Sequence, residues 1–312
     1  MSRILVIKLS ALGDFVQAFG PFAAIRAHHP ASKITLLTTK PYADLAARSP
    51  WFDEVWTDER PKAWQICKLW GLRRRLRGER FSRVYDLQTS GRSSRYLHLM
   101  GGAKAVEWCG VAPGCSHPHD NPKRDFMHTL DRQADQLAGA GIVTVAPPDL
   151  SWLDGNVSAF GVVAPFVLLV PGGAPHRPDK RWPAEHYAAL AVRLAARGLT
   201  PVVLGTASES AEAEAVTQAC PAAVSLIGRT SFSDIAALAR RAEAAVGNDT
   251  GPMHLIAATG CRSVVLYSNA SDPALCAQRG PAVTILRRPA LAALTVDDVA
   301  LALDNAAGRS YP

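Results

Sequence analysis

Residues Glu243–Tyr267, EAAVGNDTGPMHLIAATGCRSVVLY, hold the reading on which the fold turns. EAAVGN and RSVVLY are continuously apolar rather than alternating, as strands covered by helices on both faces should be. Between them MHLIAATG has helical spacing and closes on Gly260, a residue suited to a helix C-terminus. Strand, helix and strand in succession make a βαβ unit, and such units build parallel sheets. The joint is chemically loaded: Asp249, Thr250, Gly251 and His254 stand where the first strand feeds the helix. Ligands of open α/β sheets bind outside the carboxyl ends of the strands.

The same rhythm runs outward through the chain. Strands are expected at RILVIKL, KITLLTT, DEVWTD, RVYDLQ and AVEWCG in the first half, and at FVLLV, TPVVLG, AVSLIG, EAAVGN, RSVVLY and AVTILR in the second. With 312 residues there is room for two α/β domains in tandem, each able to bury a core. VTVAPPDLSWLDGNVSAFG is a poor helix and a poor strand, so the boundary is placed near Gly155, giving domains 1–155 and 156–312. Ser231 with Asp234, and Thr295 with Asp298, carry the spacing of helix caps.

Apolar and charged contents of 48% and 20% are those of an ordinary globular chain, whereas the formal net charge of +7 predicts an anionic partner. Six cysteines without C-x-x-C or His/Cys metal spacing point to reduced thiols, no disulfide and no zinc. The opening MSRILVIKLSALGD is broken by Lys8 and Asp14 and does not read as a signal peptide. AFGVVAPFVLLVPGG is too short and too rich in Gly and Pro to span a bilayer. A cytoplasmic chain is expected, with any membrane contact peripheral.

Three strand-to-helix junctions bear the chemistry. The Asp249 junction suits an anion, because helix N-termini offer unpaired N–H groups, Gly251 admits a close approach, and Thr250 and His254 add donors. Asp249 itself repels phosphate; its expected work is to hold the loop through backbone N–H groups or to receive a ligand hydroxyl, and a plain helix N-cap is the alternative. PGGAPHRPDKRWP sets Gly172 and Gly173 before Lys180 and Arg181, with Pro183 suited to a first helical turn. Lys180 there is either a charge stabiliser for a leaving phosphate or part of a solvated basic loop. Asp14, after Gly13 in KLSALGDFVQ, is either a helix cap or an acceptor for the proton of an attacking hydroxyl. Neither G-x-G-x-x-G nor a Walker loop is present, which argues against an NAD enzyme and a P-loop NTPase.

Basic charge concentrates between Arg60 and Arg83, through Lys62, Lys68, Arg73, Arg74, Arg75, Arg77 and Arg80, with Trp64 and Trp70 interleaved. This reads as an amphipathic basic helix for phosphates or lipid headgroups, or as a solvated face. No nucleic-acid recognition module accompanies it, and no nucleic-acid partner is expected.

In order along the chain, ILVIKLSALGDFVQAFGPFAAIRAHHP, DLQTSGRSS, HTLDRQADQLAGAGI, PGGAPHRPDKRWPAEHYAALA, LIGRTSFSDIAALARRAEAAVGNDTGPMHLIAATG and YSNASDP together resemble the glycosyltransferase family 9 enzymes, the ADP-heptose:lipopolysaccharide heptosyltransferases. The resemblance implies a GT-B architecture, two Rossmann-like domains with parallel sheets facing across a cleft, the first binding acceptor and the second nucleotide-sugar. It implies inverting transfer of heptose to the inner core on a lipid A–Kdo acceptor, without a cofactor. By motif match Asp14 takes the place of the base and Lys180 that of the residue stabilising the departing diphosphate. Gly172, Gly173, Arg181, Glu209, Thr230, Asp249, Thr250, Gly251 and His254 fall on donor positions, and Lys62, Arg73, Arg74 and Arg92 on the acceptor side. YSNASDP departs from the family's usual glycine-proline-threonine loop. D-x-D, the metal clamp of many other glycosyltransferases, is absent, so Lys180, helix N-termini and Arg181 are expected in place of a metal. Two other readings keep the same residues: a transferase using a UDP-sugar, and a non-catalytic nucleotide-binding protein.

Overall fold

A computed structural model of the protein describes residues 1–62, 64–174 and 176–306. It divides into two compact units, Met1–Trp152 and Leu153–Pro312. The first contains strands β1 Arg3–Ile7, β2 Lys33–Thr38, β3 Glu54–Thr57, β4 Arg83–Asp86, β5 Glu107–Gly110 and β6 His117–Pro118, with helices α1 Leu12–Val16, α2 Phe19–His28, α3 Lys40–Arg48, α4 Ile66–Gly78, α5 Gly91–Met100 and α6 Thr129–Ala138. The second contains β7 Phe166–Val170, β8 Thr200–Val203, β9 Val224–Ser225, β10 Ala244–Asn248, β11 Ser263–Tyr267 and β12 Val283–Arg287. Its helices are α7 Ala184–Ala195, α8 Ser210–Ala219, α9 Phe232–Arg241, α10 Gly251–Ala258, α11 Pro273–Cys276 and α12 Val296–Ala306.

Every strand pairing is parallel. The first sheet runs β3-β2-β1-β4-β5-β6 and the second β12-β11-β10-β7-β8-β9. Numbered from each unit's own first strand, the two orders are the same: the chain lays three strands outward in one direction, returns to the centre, and lays three in the other. A crevice opens where the direction reverses, so the order alone assigns a ligand position between β1 and β4 in the first unit and between β7 and β10 in the second. The junctions bearing Asp14, Gly172 and Asp249 lie at those two reversals.

Burial follows the apolar runs. β7 and β11 are buried throughout, as strands sandwiched between helices require. The core of the second unit gathers Leu169, Trp182, Tyr187, Val203, Val246 and Leu266. In the first, Phe15, Phe19 and Phe22 pack with Trp51, edge to face or tilted at 5.1–6.3 Å between centroids.

Three expectations need correction. β6, two residues paired with β5, was not foreseen, because its His-Pro dipeptide has no strand pattern to read. Pro183 is the N-cap of α7 rather than its first helical residue. The segment expected as a linker has no regular strand or α-helix but is not loose chain: Leu150 and Leu153 are 2% and 1% exposed, and the Trp152 ring lies 5.6 Å from Phe19. Apolar side chains spaced through it provide anchors that its Pro and Gly content obscures. Among the described residues, no helix is long and apolar enough to cross a membrane.

Candidate functional site

In the second unit a single buried amide organises the centre. Asn248, the last residue of β10, is fully buried, and its Oδ1 accepts from the Trp182 N–H at 3.0 Å and the Tyr187 hydroxyl at 3.1 Å. Its Nδ2 donates to the Pro171 and Gly172 carbonyls at 2.8 and 3.0 Å. All four bonds reach residues that follow β7 or open α7, so Asn248 staples the Gly172–Trp182 loop to β10 across the reversal. An amide offers both donors and acceptor, and no apolar residue would serve there.

Asp249 comes next. It accepts from Lys180 Nζ at 2.6 Å, Ser271 Oγ at 2.7 Å, the Tyr267 hydroxyl at 2.9 Å and Gln278 Nε2 at 3.2 Å. These are side-chain donors, which corrects the expectation that the loop's backbone N–H groups would satisfy it; nor is it the helix cap, a position held by Thr250. Burial alone would push its carboxyl up, but the bonds and charge of Lys180, with Ser271 and Tyr267, hold it below the usual carboxylate range. The Lys180 side chain correspondingly turns in from an otherwise exposed loop: the side chains of the pair are 12% and 8% exposed.

Thr250 makes no side-chain cap bond, and its Oγ1 is buried without a partner. A buried unpartnered hydroxyl is costly, and here it stands at the positive end of α10, beside Lys180's partner. Gly247 lets α10 sit this close: a Cβ there would lie 2.7 Å from the Met253 side chain and 2.8 Å from Val170. Gly251 opens the helix, and His254, 8% exposed, follows within its first turn.

The glycine loop is held from the other side. Arg181 donates to the Gly173 carbonyl at 2.6 Å and to Glu212 at 2.7 Å, so it ties the glycine loop to α8. Glu209 accepts from the Thr206 N–H at 2.8 Å and from the Ser208 hydroxyl at 2.6 Å, as a capping box. A Cβ on Gly172 would press to 3.2 Å from Glu209. Gly172, Gly173, Lys180, Arg181, Glu209, Asp249, Thr250, Gly251 and His254 thus share one edge of the sheet. Thr230 follows β9, the outer strand of the same parallel sheet, two strands from β7.

In the first unit, Asp14 is the third residue of the five-residue α1, and its Oδ2 accepts from the Ala11 N–H at a long 3.4 Å. The loop that carries it is fixed to the loop after β4. Gln88 Oε1 accepts from the Leu9 and Ser10 N–H groups at 2.7 and 3.1 Å, and buried Lys8 donates to the Leu87 carbonyl at 3.0 Å. Burial lowers the Lys8 ammonium's pKa while Asp14 and Asp86 oppose that shift. Asp86 in turn accepts from the Gln88 and Thr89 N–H groups at 3.1 and 3.0 Å, and burial pushes its carboxyl up to about 6. Lys8, Asp86 and Gln88 were not foreseen; two of them lie in DLQTSGRSS, where a polar residue ending an apolar strand was the available signal. Asn248 gives the same signal at the end of β10.

The basic residues divide. Arg92 donates to the Pro61 carbonyl at 3.2 Å, and Arg60, to the Leu9 carbonyl at 3.0 Å, both beside the Asp14 loop. Lys62 lies over the Trp64 ring at 4.9 Å. Arg73 and Arg74 are exposed farther along α4. Among the described residues no cluster of three or more His, Cys, Asp or Glu is arranged to hold a metal.

Residues 69–295 match the sequence model of glycosyltransferase family 9 (heptosyltransferase). The chain belongs to this family. It is a glycosyltransferase, and its two six-stranded parallel sheets are the α/β units of the GT-B fold. The chain is 26% identical to lipopolysaccharide heptosyltransferase 2 of Escherichia coli strain K12 over 291 residues, covering 86% of this chain and 83% of that one. The solved structure of E. coli ADP-heptose LPS heptosyltransferase II superposes with a TM-score of 0.79 at 24% identity, over 99% of each chain. E. coli heptosyltransferase WaaC with ADP-2-deoxy-2-fluoro heptose superposes at 0.77 with 18% identity, over 97% of this chain and 99% of that one.

Proposed function

We propose that this family 9 glycosyltransferase moves heptose from ADP-heptose to the inner core of lipopolysaccharide, on a lipid A–Kdo acceptor, by direct displacement with inversion. One observation carries the reading: a buried lysine, Lys180, is held 2.6 Å from Asp249 beside the first turn of α10, where Thr250 keeps an unpartnered hydroxyl. A diphosphate satisfies all three features, taking charge from Lys180 and hydrogen bonds from Thr250 and the helix amides. The names and titles of the relatives support the donor and the acceptor.

The chemistry assigns each unit a half. Asp14 takes the proton of the acceptor hydroxyl as its oxygen forms a bond to the anomeric carbon. The bond from that carbon to the β-phosphate oxygen breaks, and the electron pair leaves on ADP, where Lys180 and the α10 amides stabilise it. One displacement inverts the anomeric centre. No step calls for a metal. Gly172 and Gly173 give the nucleotide close backbone approach, while Arg181, Glu209 and Thr230 line or shape the donor side. Lys62, Arg73, Arg74 and Arg92 receive the acceptor's anionic groups, and a lipid acceptor makes the working contact with the membrane peripheral.

ADP release from ADP-heptose with a lipid A–Kdo acceptor tests the reading. Asp14→Ala abolishes turnover while leaving ADP binding intact; equal turnover with wild type removes Asp14 as the base. Lys180→Ala lowers kcat by roughly 10²-fold, the scale for one charge-stabilising group. A loss below tenfold would leave Lys180 without its role.

A further inference from the structure

We infer that the outer face of α4, with the turn before it, docks the enzyme on a bilayer carrying anionic headgroups, with Trp64, Ile66 and Trp70 entering the headgroup zone. Trp64, Ile66 and Trp70 are 72%, 72% and 60% exposed. Large hydrophobics exposed one at a time, such as Phe126 or Val163, need no explanation. Three within a single turn-and-helix segment form a patch.

Helical geometry makes the patch one-sided. Leu72 and Leu76 turn inward, Leu76 being fully buried and Leu72 packed against the same core. Ile66, Trp70, Arg73 and Arg74 fall at helix-face spacing on a neighbouring stripe that stays exposed, while Arg77 turns back to donate to the Leu99 carbonyl at 2.9 Å. The stripe therefore begins apolar and aromatic and ends cationic. Lys62 and Arg74 lie over the Trp64 and Trp70 rings, at 4.9 and 5.8 Å, rather than against carboxylates. Tryptophan with an adjoining lysine or arginine is the pairing that favours a membrane interface: the ring sits at headgroup depth and the cation meets lipid phosphate. The excess of positive charge beside the exposed tryptophans complements a bilayer of anionic headgroups.

The position suits the reaction. The strands of this sheet are parallel, so the turn leaving β3 and the loop leaving β1 emerge at the same edge, and Arg60 ties them through the Leu9 carbonyl at 3.0 Å. Docking there presents a lipid-anchored acceptor to the Asp14 loop. That purpose rests on the lipid-acceptor reading above, but the docking can be measured without turnover.

The experiment uses the full chain and vesicles of phosphatidylcholine, alone or mixed with phosphatidylglycerol, free of acceptor. Wild type is expected to cosediment with the anionic vesicles, to release at high salt, and to ignore the neutral ones. Trp64→Ser/Trp70→Ser lowers the partition coefficient at least tenfold, and Arg73→Glu/Arg74→Glu by on the order of tenfold or more. With a deacylated, water-soluble acceptor the tryptophan variant turns over like wild type, and with the acceptor embedded in vesicles it slows. Binding unchanged in the tryptophan variant, or equal binding to neutral vesicles, overturns the inference. So does loss of turnover on the soluble acceptor with vesicle binding intact, which would make the patch an acceptor-sugar contact. If no heptosyl transfer is found at all, vesicle binding still decides the docking, and the functional reading fails separately.

Discussion

Asp86, fully buried, and His29, half-buried, set opposing pH dependences in one unit. Burial raises the Asp86 carboxyl to about 6, so between the ordinary carboxylate range and pH 6 the folded state keeps a proton that the unfolded chain releases. Stability therefore falls as pH rises through that window, and the deficit persists above it. His29, bonded to the Tyr85 hydroxyl at 2.8 Å, is pushed down to about 4, first by burial and then by neighbouring cations. It stays neutral where the unfolded chain protonates, and stability falls as pH drops from 6.5 towards 4. The two partly cancel in wild type. Asp86→Asn keeps an oxygen for the Gln88 and Thr89 N–H groups and removes the charge. It should raise stability by roughly 1–3 kcal/mol at pH 7–8, with the gain vanishing near pH 4. Urea unfolding across pH reads this out, and a gain that is flat in pH would show that Asp86 ionisation is not its source.

Among elements, the arrangement that matters is β10 with the loop after β7, joined by one amide. Replacing Asn248 with Ala removes four hydrogen bonds at a fully buried position and strands the Trp182 backbone N–H and two carbonyls, while the Tyr187 hydroxyl keeps the Val170 carbonyl at 3.3 Å. The expected cost is about 3–5 kcal/mol, at the upper end for single substitutions because the stranded groups cannot reach water. The freed Gly172 loop should also raise KM for the sugar nucleotide. A variant as stable as wild type, with unchanged KM, would mean that Asn248 is not the staple. The Lys180–Asp249 pair behaves differently: removing one partner leaves a buried charge, so Lys180→Ala is expected to lose stability as well as rate. Asp249→Asn, which keeps the shape and the Ser271 and Tyr267 contacts, separates the two effects.

At the scale of the whole molecule, the two units each have their own sheet and their own core. A ligand held by one unit stabilises that unit by RT ln(1 + [L]/Kd), about 2.7 kcal/mol at a hundredfold excess over Kd. ADP without acceptor should therefore slow amide exchange at α10, β10 and the loop after β7, and leave β1, β4 and α5 unchanged. Protection confined to the first unit would reverse the assignment of donor and acceptor halves.

What the sequence determined by itself was the layering. Continuous apolar runs such as FVLLV and RSVVLY read as covered parallel strands, and their carboxyl ends mark the edge at which an open α/β sheet offers its loops, because periodicity and strand direction are local properties. The Ser231–Asp234 and Thr295–Asp298 caps were legible for the same reason, each being a hydrogen-bond pattern closed within one turn. Partnership was not legible. That Asp249 draws on Lys180, Ser271, Tyr267 and Gln278, or that Gln88 clasps the Asp14 loop, depends on residues far apart in the chain meeting at the reversal of strand order. Only the tertiary structure decides such meetings, since a buried polar group takes whichever donor the packing brings within about 3 Å of it.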